Sequence, residues 1–588
     1  MKIFTKKFFL YTFSTFFVLS VLIFTLGYFF LDDIVDARLQ KLISKKFGTF
    51  YSLNYESIEK DIGLTEISFV VNKAEFTSDT TDLAGMETFP VFFFEAKTLK
   101  VERISTWNVL LGSTLDLDNI LLEEPNLKVF TQNKKTNSSS EVKNRRGKSI
   151  LSSVKINRFL LDEGSVQFID FQTQKTTFES SSILVDVNTI ELDLTTLNNY
   201  KSFLSFQEVS IESTAPSFTP LKGFYTYKMG SMSLSSKKKN LSFKDIDINT
   251  KKSLKEASKE VINHKELVNV MIETIDINRI DLKKIIFDTK IEVGKINVKN
   301  SYIHIFKNNQ KHLDSDFKKS VFNELIRSIP IPVMVDTIQL NQVDIDFELM
   351  NSTHNQPAKI NFLINNGYIA NFNTDVNSTD TLTFFAEGKF MKRGSLWITA
   401  HILVSDTVNN YQQFMGSIKN MPFKILNPLI KQFANADISS GYIDEISFNG
   451  TANSHRTTGS VIFKYTDLKI EFYKKKDARK RFFLLSEIAN AATHKNNPNK
   501  KGELVGAHFN SQRKRWQGSV GMWLGGIIEG MFNVAVKEFP KEVLEKESKR
   551  KKGTLHKDKL HLFHKKKKNG EEPKKKNKLF HRKKNKKP

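Results

Sequence analysis

The chain has no cysteine among its 588 residues. Disulfide bonds, thiolate metal sites and cysteine nucleophiles are therefore excluded together. The sequence also lacks the H-E-x-x-H zinc motif, the G-x-S-x-G nucleophile elbow, a complete Walker loop and a Rossmann fingerprint. Because no nucleophile or acid–base constellation is present, we expect no enzymatic activity, no cofactor and no metal ion.

Two short motifs imitate known sites. Gly147, Lys148 and Ser149 match the end of a phosphate-binding P-loop, but the upstream glycine is missing and the stretch is a polar linker. His561 and His564 have a spacing seen in metal sites, yet they lie among lysines whose charge repels a cation. We interpret the first as coincidence and the second as part of a solvated tail.

The chain is rich in phenylalanine and carries its positive charge unevenly. Phenylalanine occurs 50 times, and the formal net charge is +25. Residues 549–588 contain 19 Lys/Arg and 3 Asp/Glu, so most of that charge belongs to this tail. Few helical patterns are available to bury so many apolar side chains. The composition therefore predicts a long, continuous apolar surface.

An uncharged apolar run of 24 residues extends from Phe8 to Leu31. At about 1.5 Å per helical residue it spans roughly 36 Å, enough to cross a bilayer core of about 30 Å. Lysines precede it and aspartates follow it, which predicts a single-pass anchor with the bulk of the chain translocated. A cleaved signal peptide is the alternative. The anchor is represented by Phe8, Phe17, Leu22 and Phe30.

Short alternating segments dominate the body and predict strands with one apolar and one wet face. The clearest are 66–76, 91–104, 115–122, 126–131, 154–171, 335–349, 437–452 and 457–473. Helices are expected at about 254–272, at 315–329 and twice within 409–434, on either side of Met421 and Pro422. One elongated, curled antiparallel sheet of about 25 strands is the favoured fold, and stacked β-sandwiches are the alternative.

One stretch of the body repeats with almost no gaps. Residues 104–130 and 280–306 have the same apolar register at an offset of 176 positions, and 154–171 corresponds to 335–349 with a slip of three residues. The shared content is a hydrophobic pattern and not a set of polar side chains. Such a repeat is typical of a surface built by repetition, and it does not indicate a catalytic site.

The C-terminal part differs from the body. Residues 519–536 are apolar with glycines at small-xxx-small spacing, which predicts a cap over the end of the sheet or, alternatively, a membrane contact. Beyond it the tail interleaves Leu and Phe with lysines such as Lys565, Lys566, Lys567 and Lys568. An anionic membrane surface is the expected partner if the body is translocated. A disordered solubilising end remains the alternative, and nucleic acid is not expected.

The layout resembles the AsmA-like family of Gram-negative envelope proteins, which includes TamB and YhdP and shares an architecture with chorein-type bridge-like lipid carriers. The resemblance rests on the N-terminal span and on residues 99–130, 154–170 and 421–452, with Leu426, Asn427, Pro428 and Gly441 in the last run. Asn490, Asn496, Asn497, Pro498 and Trp523 look like the signature of Bacteroidetes-type members.

The resemblance implies a taco-shaped apolar groove that is anchored in the inner membrane and holds phospholipid acyl chains in the periplasm. Outer-membrane biogenesis and lipid transport would be its role, with unidentified envelope proteins as further partners. The rival function is a non-enzymatic scaffold for envelope or outer-membrane protein assembly. The candidate lining residues are Val109, Leu111, Leu115, Leu117, Ile120, Leu122, Ile156, Val166, Phe168, Ile285, Phe287, Ile291, Val293, Ile296, Val298, Ile338, Leu340, Ile345, Phe347, Ile443, Ile446 and Phe448.

These features predict six successive parts of the chain. They are a cytoplasmic tail (1–7), a transmembrane signal anchor (8–31), a first β-groove segment (32–253), a second β-groove segment that repeats the first (254–480), a C-terminal strand and helix cap (481–548) and a Lys-rich disordered tail (549–588).

Overall fold

The computed structural model describes thirteen stretches of the chain. They are residues 50–79, 91–105, 114–131, 152–193, 195, 204–262, 264–310, 313–314, 316–350, 357–434, 436–474, 477–481 and 483–536. The predicted anchor (8–31), the candidates Val109 and Leu111, and the basic tail with its four lysines lie outside these stretches. Among the described helices, none combines the length and the hydropathy needed to cross a membrane.

Strands make up most of the described chain, as the alternating pattern predicts. Their bounds are β1 (Tyr51–Asn54), β2 (Ser57–Ile62), β3 (Glu66–Ser78), β4 (Val91–Ser105), β5 (Thr114–Glu123), β6 (Asn126–Thr131), β7 (Ser153–Asp170), β8 (Thr176–Asp193), β9 (Leu204–Phe218), β10 (Tyr225–Lys228), β11 (Ser231–Ser235), β12 (Asn240–Thr250), β13 (Leu267–Asn278), β14 (Ile291–Asn308), β15 (Val333–Met350), β16 (Ala358–Asn373), β17 (Leu382–Phe390), β18 (Gly394–Ile402), β19 (Gln412–Pro422), β20 (Ala436–Ala452), β21 (Arg456–Lys474), β22 (Asp477–Arg481) and β23 (Gly506–Gln512).

Helices are short and lie mostly between strands. Their bounds are α1 (Leu254–Ala257), a π-helical turn (Lys284–Asp288), α2 (Phe322–Arg327), a 3-10 turn (Phe423–Leu426), α3 (Asn427–Ala434), α4 (Phe483–Ala492) and α5 (Ser519–Ala535). The capping residue Ser253 starts α1, because its hydroxyl accepts from the backbone N–H of Glu256. Only α4 and α5 exceed eight residues, so the sheet carries the fold.

The strands follow one another across the sheet in chain order. We call each strand position across the sheet a rung, and the succession of rungs the ladder. In three rungs, two short strands lie end to end along the same neighbour: β1 with β2, β5 with β6, and β10 with β11. Since β22 pairs only with the end of β21, the 23 strands of the described chain form 19 rungs. At about 4.8 Å per rung, the ladder is roughly 85 Å long.

The structure confirms a mainly β fold built as one large sheet, and it corrects the finer prediction in two respects. The sheet is mixed, because β5 and β6 run parallel to β7, and β14 runs parallel to β15. The predicted helix at 254–272 is limited to α1, and its second half is β13. The first of the two helices predicted within 409–434 is β19. In β13 and β19, pairing with neighbouring strands outweighs helix propensity.

Buried apolar clusters lie at both ends of the ladder. The first joins side chains from β1 to β9 and includes Phe69, Val101 and Ile120, each at most 1% exposed. The second joins β18 to β21, β23 and α5, and includes Phe414 and Tyr465. Between these two clusters, the core consists of small groups of buried residues. The middle of the sheet therefore has much less cover than its ends.

Candidate functional site

A row of paired apolar side chains crosses the middle of the sheet. We call it lane 1. Each member is the register partner of the member on the next rung, from β8 to β17. Each of the nine rungs contributes one residue. Directly opposed side chains share a face of the sheet. Lane 1 consists of Val185, Ile211, Leu234, Leu241, Ile277, Ile296, Ile338, Ile369 and Phe384.

A second row, lane 2, crosses the same nine rungs nearer the other end of the strands. It is richer in aromatic residues, and successive rings contact one another, as Phe218 and Tyr227 do with centroids 5.7 Å apart. Along β14, seven residues or roughly 23 Å separate the two lanes. Lane 2 consists of Phe178, Phe218, Tyr227, Ile248, Val270, Ile303, Ile345, Phe362 and Phe390.

Both lanes lie on one face of the sheet. One apolar cluster contains Phe384 of lane 1 together with Ile303 and Ile345 of lane 2. All eighteen lane residues are partly exposed. Continuing lane 1 towards β4 leads to Leu99, which is only 3% exposed, and continuing it to β18 leads to the fully buried Ala400. We call the surface formed by lanes 1 and 2 the open floor. It covers nine rungs, or roughly 38 Å across the sheet, and buried residues lie beyond both of its ends.

The opposite face of β12, β13 and β14 is polar. Asp276 accepts hydrogen bonds from Ser242 at 2.8 Å and from Lys299 at 3.1 Å, so a polar ladder links β12, β13 and β14. Burial alone would raise the pKa of Asp276, but these partners outweigh it and leave the pKa below its usual value. On β12, β13 and β14 the sheet therefore has an apolar face and a wet face.

A line of backbone irregularities crosses the sheet between the two lanes. Seven residues on this line, six in strands and one between β5 and β6, have φ between 45° and 53°, the left-handed region that costs a residue with a side chain about 1–2 kcal/mol. Members on paired strands are adjacent in the sheet; for example, the strand partners on either side place Asn300 opposite Gln342. The line has no member on β10, β11 or β13. We call this line the crease. Its members are Glu124, Glu163, Ser182, Ala215, Asp245, Asn300 and Gln342.

Helix α5 covers the C-terminal end of the apolar face. Trp523 stacks on Phe414 with ring centroids 5.2 Å apart. Gly526 and Gly530 allow this approach, because a Cβ atom at either position would lie 2.8 Å from Phe509 or Val461. Two of the small-xxx-small glycines therefore have a packing role against strands, and not against a second membrane helix.

A fully buried polar network fastens α5 to the sheet. The Gln412 side chain donates to Asn323 at 2.7 Å and to Ser519 at 2.9 Å, and it accepts from the Trp523 indole N–H at 3.1 Å. All four residues are at most 5% exposed. The network joins β19, the crossover helix α2 and α5. Because the polar groups satisfy one another, their burial carries little penalty.

A second, partly buried polar group supports the fold near β13. Glu266 lies 3.0 Å from Lys307 and also pairs with Lys319. Burial raises the pKa of Glu266, but the two lysines outweigh this effect, and the pKa lies below its usual value. Burial lowers the pKa of Lys307. In the described residues, no group of three or more His, Asp and Glu could hold a metal ion.

The structure distributes the described lining candidates over three environments. Those near the N-terminal end are buried in the first cluster or packed against it: Leu115, Leu117, Ile120, Leu122, Ile156, Val166, Phe168 and Phe287. Those of β20 are buried in the second: Ile443, Ile446 and Phe448. The rest, of which Val293 is buried, lie on the central rungs or pack against them: Ile285, Ile291, Val293, Ile296, Val298, Ile338, Leu340, Ile345 and Phe347.

Sequence reasoning missed three sets of residues. It omitted every lane member except Ile296, Ile338 and Ile345, although the alternation of apolar and polar residues in these strands is visible in the sequence. It also missed the crease and the Gln412 network, which have no local signal because their members are distant in the chain. No protein-family model matches this sequence, and no curated protein matches it.

Proposed function

We propose that the open floor formed by lanes 1 and 2 holds the acyl chains of phospholipids and conducts them between membranes in support of outer-membrane biogenesis. The observation that carries this proposal is the combination of eighteen partly exposed apolar side chains on one face with a polar network on the other. Monomeric soluble proteins rarely expose so long an apolar surface unless it contacts a ligand, a lipid or a partner.

Moving the acyl chains of a lipid through water has a large free-energy cost. A two-chain lipid has on the order of thirty CH₂ groups, and exposing each to water costs about 0.8 kcal/mol, so the uncovered path costs roughly 25 kcal/mol. A continuous apolar floor removes most of this barrier without a catalytic group. This function agrees with the absence of nucleophile and acid–base motifs in the sequence.

The crease gives a physical reason for a trough. Irregular residues in a strand bend it and increase its twist. Since the irregularities of neighbouring strands are aligned, we propose that the sheet folds along the crease and turns lanes 1 and 2 towards each other. The apolar face would then be the inside of the elongated, curled groove, and the polar face with Asp276 would be its outside.

We infer the location of this activity from the N-terminal apolar run. The apolar run 8–31 would anchor the chain in the inner membrane of a Gram-negative cell, with the sheet in the periplasm. Cargo would move along the ladder from the anchored end towards α5, or in the reverse direction. A roughly 85 Å ladder is long enough to carry lipid well beyond the surface of one bilayer.

Native mass spectrometry with lipid extraction on the full chain, purified in mild detergent, tests this proposal. We expect co-purified phospholipids, and we expect the double variant Ile296→Asp/Ile338→Asp to lose most of them. These two residues are opposed on the parallel pair β14 and β15. Two carboxylates there would be close to each other on an apolar floor, where each ionised group is costly.

The matched control places carboxylates on the wet face of the same strands. Asn297→Asp/Gln339→Asp changes the neighbouring opposed pair, so charge and strand position are conserved. Thermal unfolding followed by circular dichroism shows whether each variant retains the fold. A folded wild type that contains no lipid, or equal lipid loss in both double variants, would contradict the proposal and favour the scaffold function.

A further inference from the structure

Helix α5 has an apolar side that is exposed. Val520, Leu524, Ile528 and Phe532 follow one another at intervals of four residues, and their exposed fractions are 48%, 38%, 62% and 64%. Residues four apart lie on the same side of a helix. We call these four residues the α5 stripe. The buried side of α5 is occupied by Trp523, Gly526 and their neighbours, so the stripe is not part of the core.

The polar residues of α5 lie away from the stripe, along the edge of β23. Glu529 accepts a hydrogen bond from the backbone N–H of Asn510, and the Asn533 side chain donates to the carbonyl of His508. These contacts satisfy the outer edge of the last strand, where unpaired backbone groups would otherwise invite another chain. The helix is thus polar where it borders that edge and apolar where it faces outwards.

Positive charge flanks the stripe on both sides in sequence. Exposed Lys514 and Arg515 precede α5, and the ammonium group of Lys514 lies 5.8 Å from the ring of Trp516, which is itself 41% exposed. After α5 the chain continues into residues 549–588, with their 19 basic and 3 acidic residues. An apolar helix face with an adjacent tryptophan and basic flanks is the pattern of a helix that binds at a membrane interface.

We infer that the α5 stripe docks on an anionic lipid bilayer, with Lys514 and Arg515 attracted to its headgroups. Each basic residue near such a surface contributes about 1 kcal/mol. The site would place the C-terminal end of the ladder against a membrane. This inference does not depend on lipid in lanes 1 and 2, since a scaffold could dock in the same way.

Labelling at a single thiol tests the inference directly, because the chain has no native cysteine. The full chain, held in nanodiscs of phosphatidylcholine, carries Ile528→Cys with an environment-sensitive fluorophore. We expect its emission to shift to the blue with vesicles that contain phosphatidylglycerol, to stay unchanged with pure phosphatidylcholine vesicles, and to lose the shift at high salt. The control label at Asn533→Cys, on the polar side of α5, should shift much less.

A binding measurement separates the stripe from other apolar surfaces. Ile528→Asp/Phe532→Asp should lower co-sedimentation with phosphatidylglycerol vesicles by about tenfold or more, since two large apolar side chains lose their insertion. Val408→Asp removes a side chain that is 79% exposed on the β18–β19 connection and should leave binding unchanged. The amount of phospholipid that co-purifies should be the same for the wild type, the stripe variant and Val408→Asp. A failure of this experiment can therefore be distinguished from a failure of the experiment on lanes 1 and 2.

Three results would overturn the inference. One is an unchanged emission at position 528 in the presence of anionic vesicles. Another is equal vesicle binding by the wild type and the stripe variant. The third is a stripe variant that loses self-association, measured by sedimentation velocity, while its vesicle binding is intact, because the occupant would then be a second copy of the chain.

Discussion

Glu124 and Asn300 have the same left-handed backbone conformation, with φ of 47° and 50°, at points that lie 176 positions apart in the chain. Glu124 lies between β5 and β6, which run parallel to β7, and Asn300 lies on β14, which runs parallel to β15. Each is opposite another left-handed residue, Glu163 or Gln342. The offset of 176 is that of the apolar repeat in the sequence. The repeat therefore reproduces a parallel junction and a bend as well as an apolar pattern.

The crease predicts an unusual response to substitution at Gln342, whose φ is 53°. Gln342→Val should destabilise the protein by about 1–2 kcal/mol, because a β-branched side chain tolerates this conformation least. Gln342→Gly should be neutral or slightly stabilising, although glycine in an ordinary strand position is unfavourable. Urea unfolding of both variants tests the order. A glycine variant less stable than the valine variant would contradict the strained geometry.

The sequence predicted the strands well where polar and apolar residues alternate over long stretches. The segments 437–452 and 457–473 correspond to β20 and β21 within one residue at each end. Such segments have one face for the core and one for solvent, which a helix cannot provide with the same pattern. The same property makes the central lanes visible in the sequence as a set of alternating segments.

The remaining features depend on contacts between distant parts of the chain. Residues 254–272 contain good helix formers, yet Val268 and Val270 pair with β14, and the strand prevails. The parallel junctions also leave no local mark, because a crossover can be read equally as a long loop. Gln412 looks like an ordinary exposed polar residue in the sequence, whereas its partners Asn323 and Trp523 are about ninety and one hundred and ten positions away.

Glu445 on β20 gives a prediction for acid stability. Its carboxylate bonds to Lys464 at 2.8 Å, to Ser447 and to Lys419, and these partners lower the pKa of Glu445 to about 2 from 4.5. The stabilisation is therefore present above about pH 4.5 and is lost as the pH falls towards 2. Since both lysines are substantially exposed, we expect Glu445→Gln to cost only about 1 kcal/mol at pH 7.

Urea midpoints of the wild type and Glu445→Gln, measured at pH 7 and at pH 3, test this prediction. The difference between the two proteins should be smaller at pH 3, because the wild-type carboxylate has by then lost part of its advantage over the unfolded state. A difference that is constant with pH would show that Glu445 acts through its neutral hydrogen bonds and not through its charge.

The Gln412 network predicts a large cost for an apolar replacement of similar size. Gln412→Leu removes the acceptor of the Trp523 indole N–H and the donor to the Asn323 side-chain oxygen in the core, and each unsatisfied group costs about 1–3 kcal/mol. We expect a loss of about 3 kcal/mol in the free energy of unfolding. Gln412→Glu keeps an acceptor for Trp523 and should cost less if it remains protonated. Equal stability of Gln412→Leu and the wild type would contradict the network.

The glycines of α5 predict opposite effects of one substitution on the same helix. At Gly526 a Cβ atom would lie 2.8 Å from the Phe509 ring, so Gly526→Ala must shift α5 or the ring. We expect a loss of about 1–3 kcal/mol from this overpacking. At Gly521 the nearest atoms are 3.6 Å away, on the Gln517 side chain. Gly521→Ala should therefore stabilise the helix by about 0.5–1 kcal/mol, the ordinary gain in helix propensity.

Thermal unfolding of the two alanine variants compares the same substitution, glycine to alanine, at two positions five residues apart. A lower midpoint for Gly526→Ala and a higher one for Gly521→Ala would show that α5 rests on β21 and β23 through its small residues. If both alanines raised the midpoint, the buried side of α5 would have room for a methyl group. The close packing on Phe509, and with it the orientation that leaves Ile528 and Phe532 exposed, would then be wrong.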